Sequence, residues 1–305
     1  MSQYHTPVLL GESIDLLDIQ ENGVYVDATF GGGGHSAEIL RRLGPKGTLV
    51  AFDKDEDALV CAPADARLHT VRNNFRYVHN FVRQMGFKKV DGILADLGVS
   101  SHQFDTPERG FSFRFDAPLD MRMNNQSELT AVTVLNTYTQ DRLENIFRLY
   151  GEVEGSGRVA SLICKARENS PIRTTGDLQD AIRPVLPRNA EHKYLAKIYQ
   201  ALRIEVNGEM RDLEGFLKGA AKALREGGVL SVITYHSLED RIVKNFFRAG
   251  NREGIVERDE MGRTSVPWTI ITKKPILPAE AEIAANTRAR SAKLRAARRT
   301  GNFNA

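Results

Sequence analysis

A glycine-rich segment between two acids is the part of this sequence best suited to chemistry. Residues 24–34 read Val-Tyr-Val-Asp-Ala-Thr-Phe-Gly-Gly-Gly-Gly, so an apolar stretch ends at Asp27 and runs directly into four glycines. A second apolar stretch ends at Asp53. Glycines let the backbone turn sharply beside a ligand, and a helix that follows them points N–H groups at it. An acid on the next strand can accept both hydroxyls of a ribose, so the spacing indicates a nucleoside-bearing cofactor.

The spacing of the glycines indicates which nucleoside is bound. A dinucleotide fingerprint needs glycine at its first, third and sixth positions, but counting from Gly31 the sixth residue is Ser36. Rossmann-like enzymes that use S-adenosylmethionine have acid-x-Gly-x-Gly-x-Gly, and the chain matches this from Asp27 onward, with Thr29 for the first glycine. The acid favours S-adenosylmethionine, whose ammonium group needs an anionic neighbour. Two alternatives stay open: a dinucleotide-dependent oxidoreductase, and Asp27 as a helix cap or turn former.

Composition predicts a soluble cytoplasmic enzyme. The chain has 305 residues, of which 27% are charged and 41% hydrophobic, as in ordinary globular proteins. No apolar run approaches the roughly 18 residues that would span a membrane, and the N-terminus lacks the form of a signal peptide. Cys61 and Cys164 have no metal-ligand spacing, so we expect reduced cysteines and no metal site. Six basic residues between Arg288 and Arg299, with no acid after them, suggest a polyanionic partner.

The alternation of strands and helices is interrupted in the middle of the chain. Further strands are predicted to end near residue 73, over 90–96, and over 229–234 after a helix that ends at Gly227 and Gly228. Between about 104 and 204 only helical signals are clear. These helices are predicted over 128–136 (capped by Ser127), 141–150, 158–167, 175–182 and 190–204. We therefore expect an α/β methyltransferase core, residues 1–103 and 207–305, with an inserted all-helical domain, residues 104–206.

Long motifs in the same order resemble those of the MraW family, bacterial methyltransferases acting on N4 of a cytosine in small-subunit ribosomal RNA. The matching stretches are residues 5–10, 27–36, 91–101, 108–113, 118–123, 200–207, 236–244 and 288–295. The resemblance covers nearly the whole chain. It implies a Rossmann-like core that uses S-adenosylmethionine, yields S-adenosylhomocysteine and methylates a cytosine in the decoding region of 16S ribosomal RNA. The resemblance leaves open whether the RNA is methylated free or within the small ribosomal subunit, and whether the protein forms a homodimer.

The resemblance also implies a set of site residues. For the cofactor these are Asp27, Gly33, Gly34, His35, Asp53, Phe75, Asp96 and Gln103. For the RNA they are Arg109, Phe111, Phe113, Arg203, Asn207, Arg288 and Arg290. Asp53 is expected to hold the ribose, Phe75 to flank the adenine, and the inserted domain to recognise RNA.

The chemistry of an aromatic amine suggests catalytic candidates. The lone pair of a cytosine amino group is delocalised, so an acceptor for its N–H is needed to localise the lone pair and take the proton. Many amino-methyltransferases place Asp-Pro-Pro-Tyr after the fourth strand, where this chain has Asp96 followed by Leu-Gly-Val. Asp96 is therefore the candidate acceptor. His236 is a weaker candidate, because Ser237 and Asp240 beside it have the spacing of a helix capping box.

Three further readings stay open for the substrate side. The alternating Phe111, Phe113 and Phe115 form either a platform for an unstacked base or a segment that packs against the helices. The basic run from Arg288 to Arg299 either binds phosphates or is a solvated helix face. A non-catalytic RNA-binding module is the remaining alternative for the whole chain, and the acids of the cofactor motif argue against it.

Overall fold

The chain divides into two compact units. The computed structural model describes residues 7–258, 261–262, 264 and 266–301, so the first two residues of the 5–10 motif, His5 and Thr6, lie outside the described residues. One unit comprises residues up to 98 together with those from 210 onward, and the other comprises residues 99–209. Among the described residues no helix is both long and apolar enough to cross a membrane.

The first unit is built on a mixed sheet with helices between its strands, which agrees with the predicted α/β fold class. Its strands are β1 (Val24–Asp27), β2 (Thr48–Asp53), β3 (Leu68–Arg72), β4 (Val90–Asp96), β5 (Leu224–Thr234), β6 (Trp268–Ile270) and β7 (Lys293–Arg299). Their helices are α1 (Leu10–Asp15), α2 (Gly34–Arg42), α3 (Glu56–Val60), α4 (Val78–Gln84), α11 (Glu209–Ala223), α12 (Ser237–Ala249) and α13 (Glu280–Ala285). The inner strands are apolar and buried on both faces, which parallel strands covered by helices require.

The strand order predicts where a ligand site would lie on the sheet. Among the described residues the order is β3-β2-β1-β4-β5-β7-β6, with β1 to β5 parallel and β7 antiparallel to both neighbours. The chain order reverses between β1 and β4, and ligands bind beyond the carboxyl ends of strands at such a switch point. β1, β2 and β4 are the strands that the sequence predicted to end in acids.

Two predicted boundaries in this unit were wrong. The helix expected to end at Gly227 and Gly228 ends at Ala223, and the glycines lie inside β5, where the pairing with β4 shifts register and Gly227 has φ 78°. The capping box of α12 is one residue earlier than predicted. His236 is the N-cap and Glu239 its partner, because the imidazole Nδ1 accepts the Glu239 N–H as a hydroxyl would.

The second unit is helical. Its helices are α5 (Ser101–Asp105), α6 (Ala131–Thr137), α7 (Gln140–Tyr150), α8 (Ser156–Asn169), α9 (Thr175–Ile182) and α10 (Glu191–Asn207). Helix α7 lies where a helix was predicted, and its Leu143, Ile146 and Phe147 are buried on one face. Helix α6 begins later than expected, because the Thr130 hydroxyl, rather than Ser127, accepts the N–H of Thr133.

Candidate functional site

Three acids end neighbouring strands of the sheet. Asp27, Asp53 and Asp96 are the last residues of β1, β2 and β4. Burial raises the pKa of each carboxyl from 3.8 to about 6, and the Asp27 charge further raises the pKa of the other two. Repulsion among three acids in one region is relieved by a cation, so the switch point is prepared for a positively charged ligand.

Asp27 holds the glycine turn from inside. It is completely buried, its Oδ2 accepts the Ser36 hydroxyl at 2.6 Å, and its Oδ1 accepts the Thr29 N–H at 3.1 Å. Both oxygens therefore bind the turn and the start of α2. This geometry favours the turn-forming role that the sequence left open for Asp27.

The glycines of the turn are required by its geometry. Gly33 is the N-cap of α2 with φ 76°, and a Cβ there would lie 2.8 Å from the Phe30 ring. A Cβ on Gly34 would lie 2.8 Å from Pro7. Only glycine fits this left-handed, crowded turn, and the helix it begins has N–H groups at its first turn to bind an anionic group such as a carboxylate.

Asp53 connects the second strand to the glycine turn. Its Oδ2 accepts the N–H of Gly31 at 2.8 Å, and its Oδ1 accepts the N–H of Asp55 at 2.8 Å. A carboxylate has about four lone-pair positions, so each oxygen retains capacity to accept another donor. Asp53 can therefore accept ribose hydroxyls while it keeps both backbone contacts.

Asp96 lies in a network that the sequence did not predict. Its Oδ1 accepts the Tyr235 hydroxyl at 2.7 Å, and its Oδ2 lies 3.9 Å from Nδ1 of His35. Its backbone N–H donates to the Thr29 hydroxyl at 2.6 Å. The His35 ring is almost fully buried and donates from Nε2 to the Val8 carbonyl at 3.1 Å. These contacts place His35 and Asp96, both predicted site residues, side by side.

A buried acid missed by the sequence reading ties together the loops after β2 and β3. Asp212 of α11 is 1% exposed and accepts Lys54 Nζ at 3.3 Å, Asn74 Nδ2 at 2.5 Å and Arg76 Nη1 at 3.3 Å. Lys54 follows Asp53, and Phe75 lies between the other two donors. An acid in an amphipathic helix looks like any surface acid, so the sequence holds no local signal of this role.

Helix α11, which carries Asp212, also positions Phe75. Its ring meets the ring of Phe216, on α11, edge to face with centroids 5.0 Å apart. The ring is only partly buried. Phe75 therefore keeps a fixed orientation while part of its surface remains available, which suits a residue that flanks a base.

His236 has a structural role as the N-cap of α12. Glu239 Oε2 accepts the N–H groups of Tyr235 at 2.9 Å and of His236 at 3.4 Å, and His236 Nε2 lies 3.1 Å from Glu239 Oε1. Both side chains are buried. The pair fixes the turn between β5 and α12, and therefore the position of Tyr235.

In the helical unit, two predicted RNA-side residues hold one loop. Arg109 donates from Nη2 to the carbonyls of Arg122 and Met123, at 3.0 and 3.3 Å. Asn207 accepts the Met123 N–H at 2.8 Å and donates to the Met121 carbonyl at 2.8 Å. These side chains shape the loop at 121–123 in this structure.

The other predicted residues of this unit are also well packed. Gln103 forms a capping box with Ser100 at the start of α5. Phe111 is 4% exposed within the helical core, and Phe113 packs against Tyr199 with centroids 5.3 Å apart. These contacts favour the packing alternative for the first two phenylalanines. Phe115 is 52% exposed. Arg203 binds Glu209 through two 2.8 Å hydrogen bonds.

The basic run near the C-terminus is not a helix face. Residues 287–291 form a short 3-10 turn, and β7 lies between β5 and β6 in the sheet. Arg295 is buried and binds Asp240 with Nε–Oδ1 at 2.6 Å, while Arg299 is buried and donates to the Ala221 carbonyl at 2.7 Å. Arg288 and Arg290 are exposed. The run therefore divides into arginines that stabilise the sheet and arginines that face solvent.

Comparison with known proteins gives long matches. The model of the MraW methylase family matches residues 2–300. A ribosomal RNA small subunit methyltransferase H of Parabacteroides distasonis is 54% identical over 97% of both chains. The protein of that name from Bacteroides thetaiotaomicron is 55% identical over 96% of this chain and 97% of its own. A solved putative rRNA methylase from Clostridium thermocellum is more distant, at 12% identity and a TM-score of 0.43, with 97% of this chain and 99% of that chain covered.

Proposed function

This chain belongs to the MraW methylase family, and we propose that it transfers a methyl group from S-adenosylmethionine to N4 of a cytosine in the decoding region of 16S ribosomal RNA. The observation that carries the proposal is the set of buried acids Asp27, Asp53 and Asp96 around a glycine turn. S-adenosylmethionine has a net positive charge, which these acids attract. A dinucleotide would bring an anionic pyrophosphate to the same place, so the site disfavours the oxidoreductase alternative.

The residues of the sheet unit fit the parts of this donor. Asp53 would hold the ribose hydroxyls, Phe75 would flank the adenine, and the turn at Gly33 and Gly34 would receive the methionine end. Asp27 stabilises that turn by accepting hydrogen bonds from Ser36 and Thr29. Gln103 we assign to the same site on the resemblance alone. When bound, the donor supplies a methyl group already activated by its sulfonium charge, so the chain needs no metal for activation.

The remaining task is to activate and position the amine. As the new N–C bond forms, the bond between the sulfonium and the methyl group would break and leave S-adenosylhomocysteine, and the nitrogen would gain positive charge and lose one of its protons. Asp96, with a pKa near 6, is largely ionised at neutral pH and can accept that proton. Methyl transfer also requires the amine in line and close to the methyl carbon, so most of the rate enhancement comes from positioning.

The RNA assignment rests on the relatives, which are named for small-subunit ribosomal RNA. We assign recognition of the RNA to the inserted helical domain, residues 104–206, and to the exposed Arg288 and Arg290. Arg109 and Asn207 would act by shaping the loop at 121–123, and Phe111, Phe113 and Arg203 by supporting the same unit. In bacteria this RNA is made and assembled in the cytoplasm, which would be the site of action.

The proposal is tested by methyl incorporation. The purified chain is incubated with S-adenosylmethionine labelled in its methyl group and with small-subunit RNA, assembled small subunits or large-subunit RNA. Label is expected in one or both small-subunit samples and absent from large-subunit RNA. No transfer to any sample, together with a thermal shift by NAD and none by S-adenosylmethionine, would favour the oxidoreductase.

A further inference from the structure

The two carboxylate oxygens of Asp96 have different neighbours. Its Oδ1 accepts the Tyr235 hydroxyl at 2.7 Å, whereas its Oδ2 faces His35 Nδ1 at 3.9 Å, beyond hydrogen-bond distance. A hydroxyl that donates to one oxygen stabilises negative charge on the carboxylate and fixes its rotation. The second oxygen is thereby held in a defined direction.

Tyr235 is itself rigidly held. Its N–H donates to Glu239 Oε2 at 2.9 Å, and Ile233, two residues earlier on β5, accepts the Leu97 N–H at 3.0 Å. Gly98 lies against the ring, since a Cβ on it would be 3.4 Å from Tyr235 Cδ2. These contacts anchor the tyrosine both to the turn before α12 and to the end of β4, so its hydroxyl has little freedom to leave Asp96.

The protonation states of Tyr235 and Asp96 suit a hydrogen bond in which the tyrosine is always the donor. Burial, and secondarily the Asp96 charge, raises the pKa of Tyr235 well above its ordinary value, so the phenol keeps its proton over the working pH range. Burial raises the pKa of Asp96, and the charge of His35 and then the Tyr235 hydrogen bond lower it. The charges of Asp27 and Glu239 raise the Asp96 pKa by smaller amounts. Without that donor, a buried carboxyl would be protonated at a higher pH and would lose its ability to accept a proton.

We propose that Tyr235 is a positioning residue for Asp96: the tyrosine hydroxyl holds Oδ1 and leaves Oδ2, on the His35 side, as the oxygen that accepts from the amine that is methylated. In this role the tyrosine acts through Asp96 and not through contact with the methyl donor or the base. The consequence for catalysis rests on the proposed function, whereas the coupling between Tyr235 and Asp96 is a property of the protein alone. The two are therefore tested separately.

The coupling is tested by a carboxyl titration of the protein without any ligand. Asp96 is followed by carbon-13 NMR of aspartate-labelled protein and assigned with Asp96→Asn. Tyr235→Phe removes the hydroxyl and keeps the ring, so the Asp96 midpoint should rise by about 1–2 pH units, the value of one hydrogen bond to a charged group. An incorporated 3-fluorotyrosine at position 235, a stronger donor, should move it in the opposite direction.

A matched control is available in the helical unit. The Tyr138 hydroxyl donates to Glu205 Oε1 at 2.8 Å, so Tyr138→Phe removes a tyrosine–carboxylate bond of similar length that does not involve Asp96. Tyr138→Phe should leave the Asp96 midpoint unchanged. An Asp96 midpoint that stays at its wild-type value with both Phe and 3-fluorotyrosine at position 235 would overturn the proposal and leave Tyr235 as a packing residue.

The catalytic consequence is read from the pH profile of methyl transfer. The acid limb of the Tyr235→Phe profile should move upward by the same amount as the midpoint, so its rate falls several-fold near pH 6 and recovers toward pH 8. A uniform loss at every pH would contradict the role. If wild-type protein transfers no methyl group although the midpoint moves, the proposed function fails and the coupling stands.

Discussion

The N–H of Gly31 donates to Oδ2 of Asp53 across 2.8 Å, so the glycine turn after β1 and the acid at the end of β2 are one hydrogen-bonded unit. In the proposed function the turn would receive the methionine end of the donor and the acid would hold the ribose. Their direct connection fixes the spacing between the two recognition elements before any ligand is present, which reduces the entropy lost on binding.

Asp53→Ala should weaken binding of S-adenosylmethionine by roughly ten- to a hundredfold, because hydrogen bonds to a charged group contribute about 1.5–3 kcal/mol. Isothermal titration calorimetry measures the change. Asp57→Ala, at an exposed acid four residues further on, is the control and should bind as wild type does. Wild-type affinity in Asp53→Ala would remove this residue from the site.

Donor binding should depend on pH in a way that distinguishes the donor from its product. Asp27, Asp53 and Asp96 have pKa values raised to about 6, so they are mostly protonated at pH 5 and ionised at pH 8. S-adenosylmethionine carries a positive charge that S-adenosylhomocysteine lacks. The ratio of their affinities should therefore shift toward the donor by on the order of tenfold between pH 5 and 8. A constant ratio would contradict an electrostatic role for the acids.

The same raised values predict how the ligand-free protein responds to pH. A carboxyl whose folded pKa lies above its unfolded pKa stabilises the fold fully below the unfolded value, near 3.8, and loses that contribution as the pH rises through about 6. Because the acids are ionised at pH 8, S-adenosylmethionine should raise the melting temperature more at pH 8 than at pH 5. Differential scanning fluorimetry measures this difference alongside the affinities.

Asp96→Asn should lower the rate of methyl transfer more than donor affinity. The amide keeps the shape of the side chain, but it accepts a hydrogen more weakly and has no charge to take the amine proton. Single-turnover rates at saturating donor separate the two effects. A variant with the wild-type single-turnover rate and weakened donor binding would leave Asp96 as a binding residue.

Asp212→Asn tests the support behind the nucleoside end of the site. The loops after β2 and β3, beside Asp53 and Phe75, would lose a charged acceptor for Lys54, Asn74 and Arg76, so both the melting temperature and the donor affinity should fall. Glu214→Gln is the matched control on α11. Its surface bond to Lys218 contributes little, and it should behave as wild type. Lower stability with unchanged affinity would confine Asp212 to a structural role.

Much of the site was predictable because its signals are local. Each of β1, β2 and β4 is an apolar run that ends in an acid, and the glycines follow the first run directly. The helices α7 and α9 were equally clear, since their apolar residues repeat at helical spacing and α9 starts at a threonine cap.

The unpredicted features depend on contacts between distant parts of the chain. β7 reads Lys-Leu-Arg-Ala-Ala-Arg-Arg, a helix-like composition, and is a strand because β5 and β6 bind it on both sides. The Tyr235–Asp96 bond joins residues 139 positions apart, and Asp212 is 138 positions from Asn74. No local pattern encodes such pairs, since tertiary context overrides propensity there.

The most direct test of the account is to identify the methylated atom. Small-subunit RNA from cells that lack this chain, free and assembled, is incubated with the protein and labelled S-adenosylmethionine, digested, and analysed by nucleoside mass spectrometry with mapping of the modified position. We predict a single labelled cytidine in the decoding region, with the methyl group on N4. Label on a ring carbon, on a ribose or on another base would contradict it, as would unlabelled RNA from both forms of the substrate.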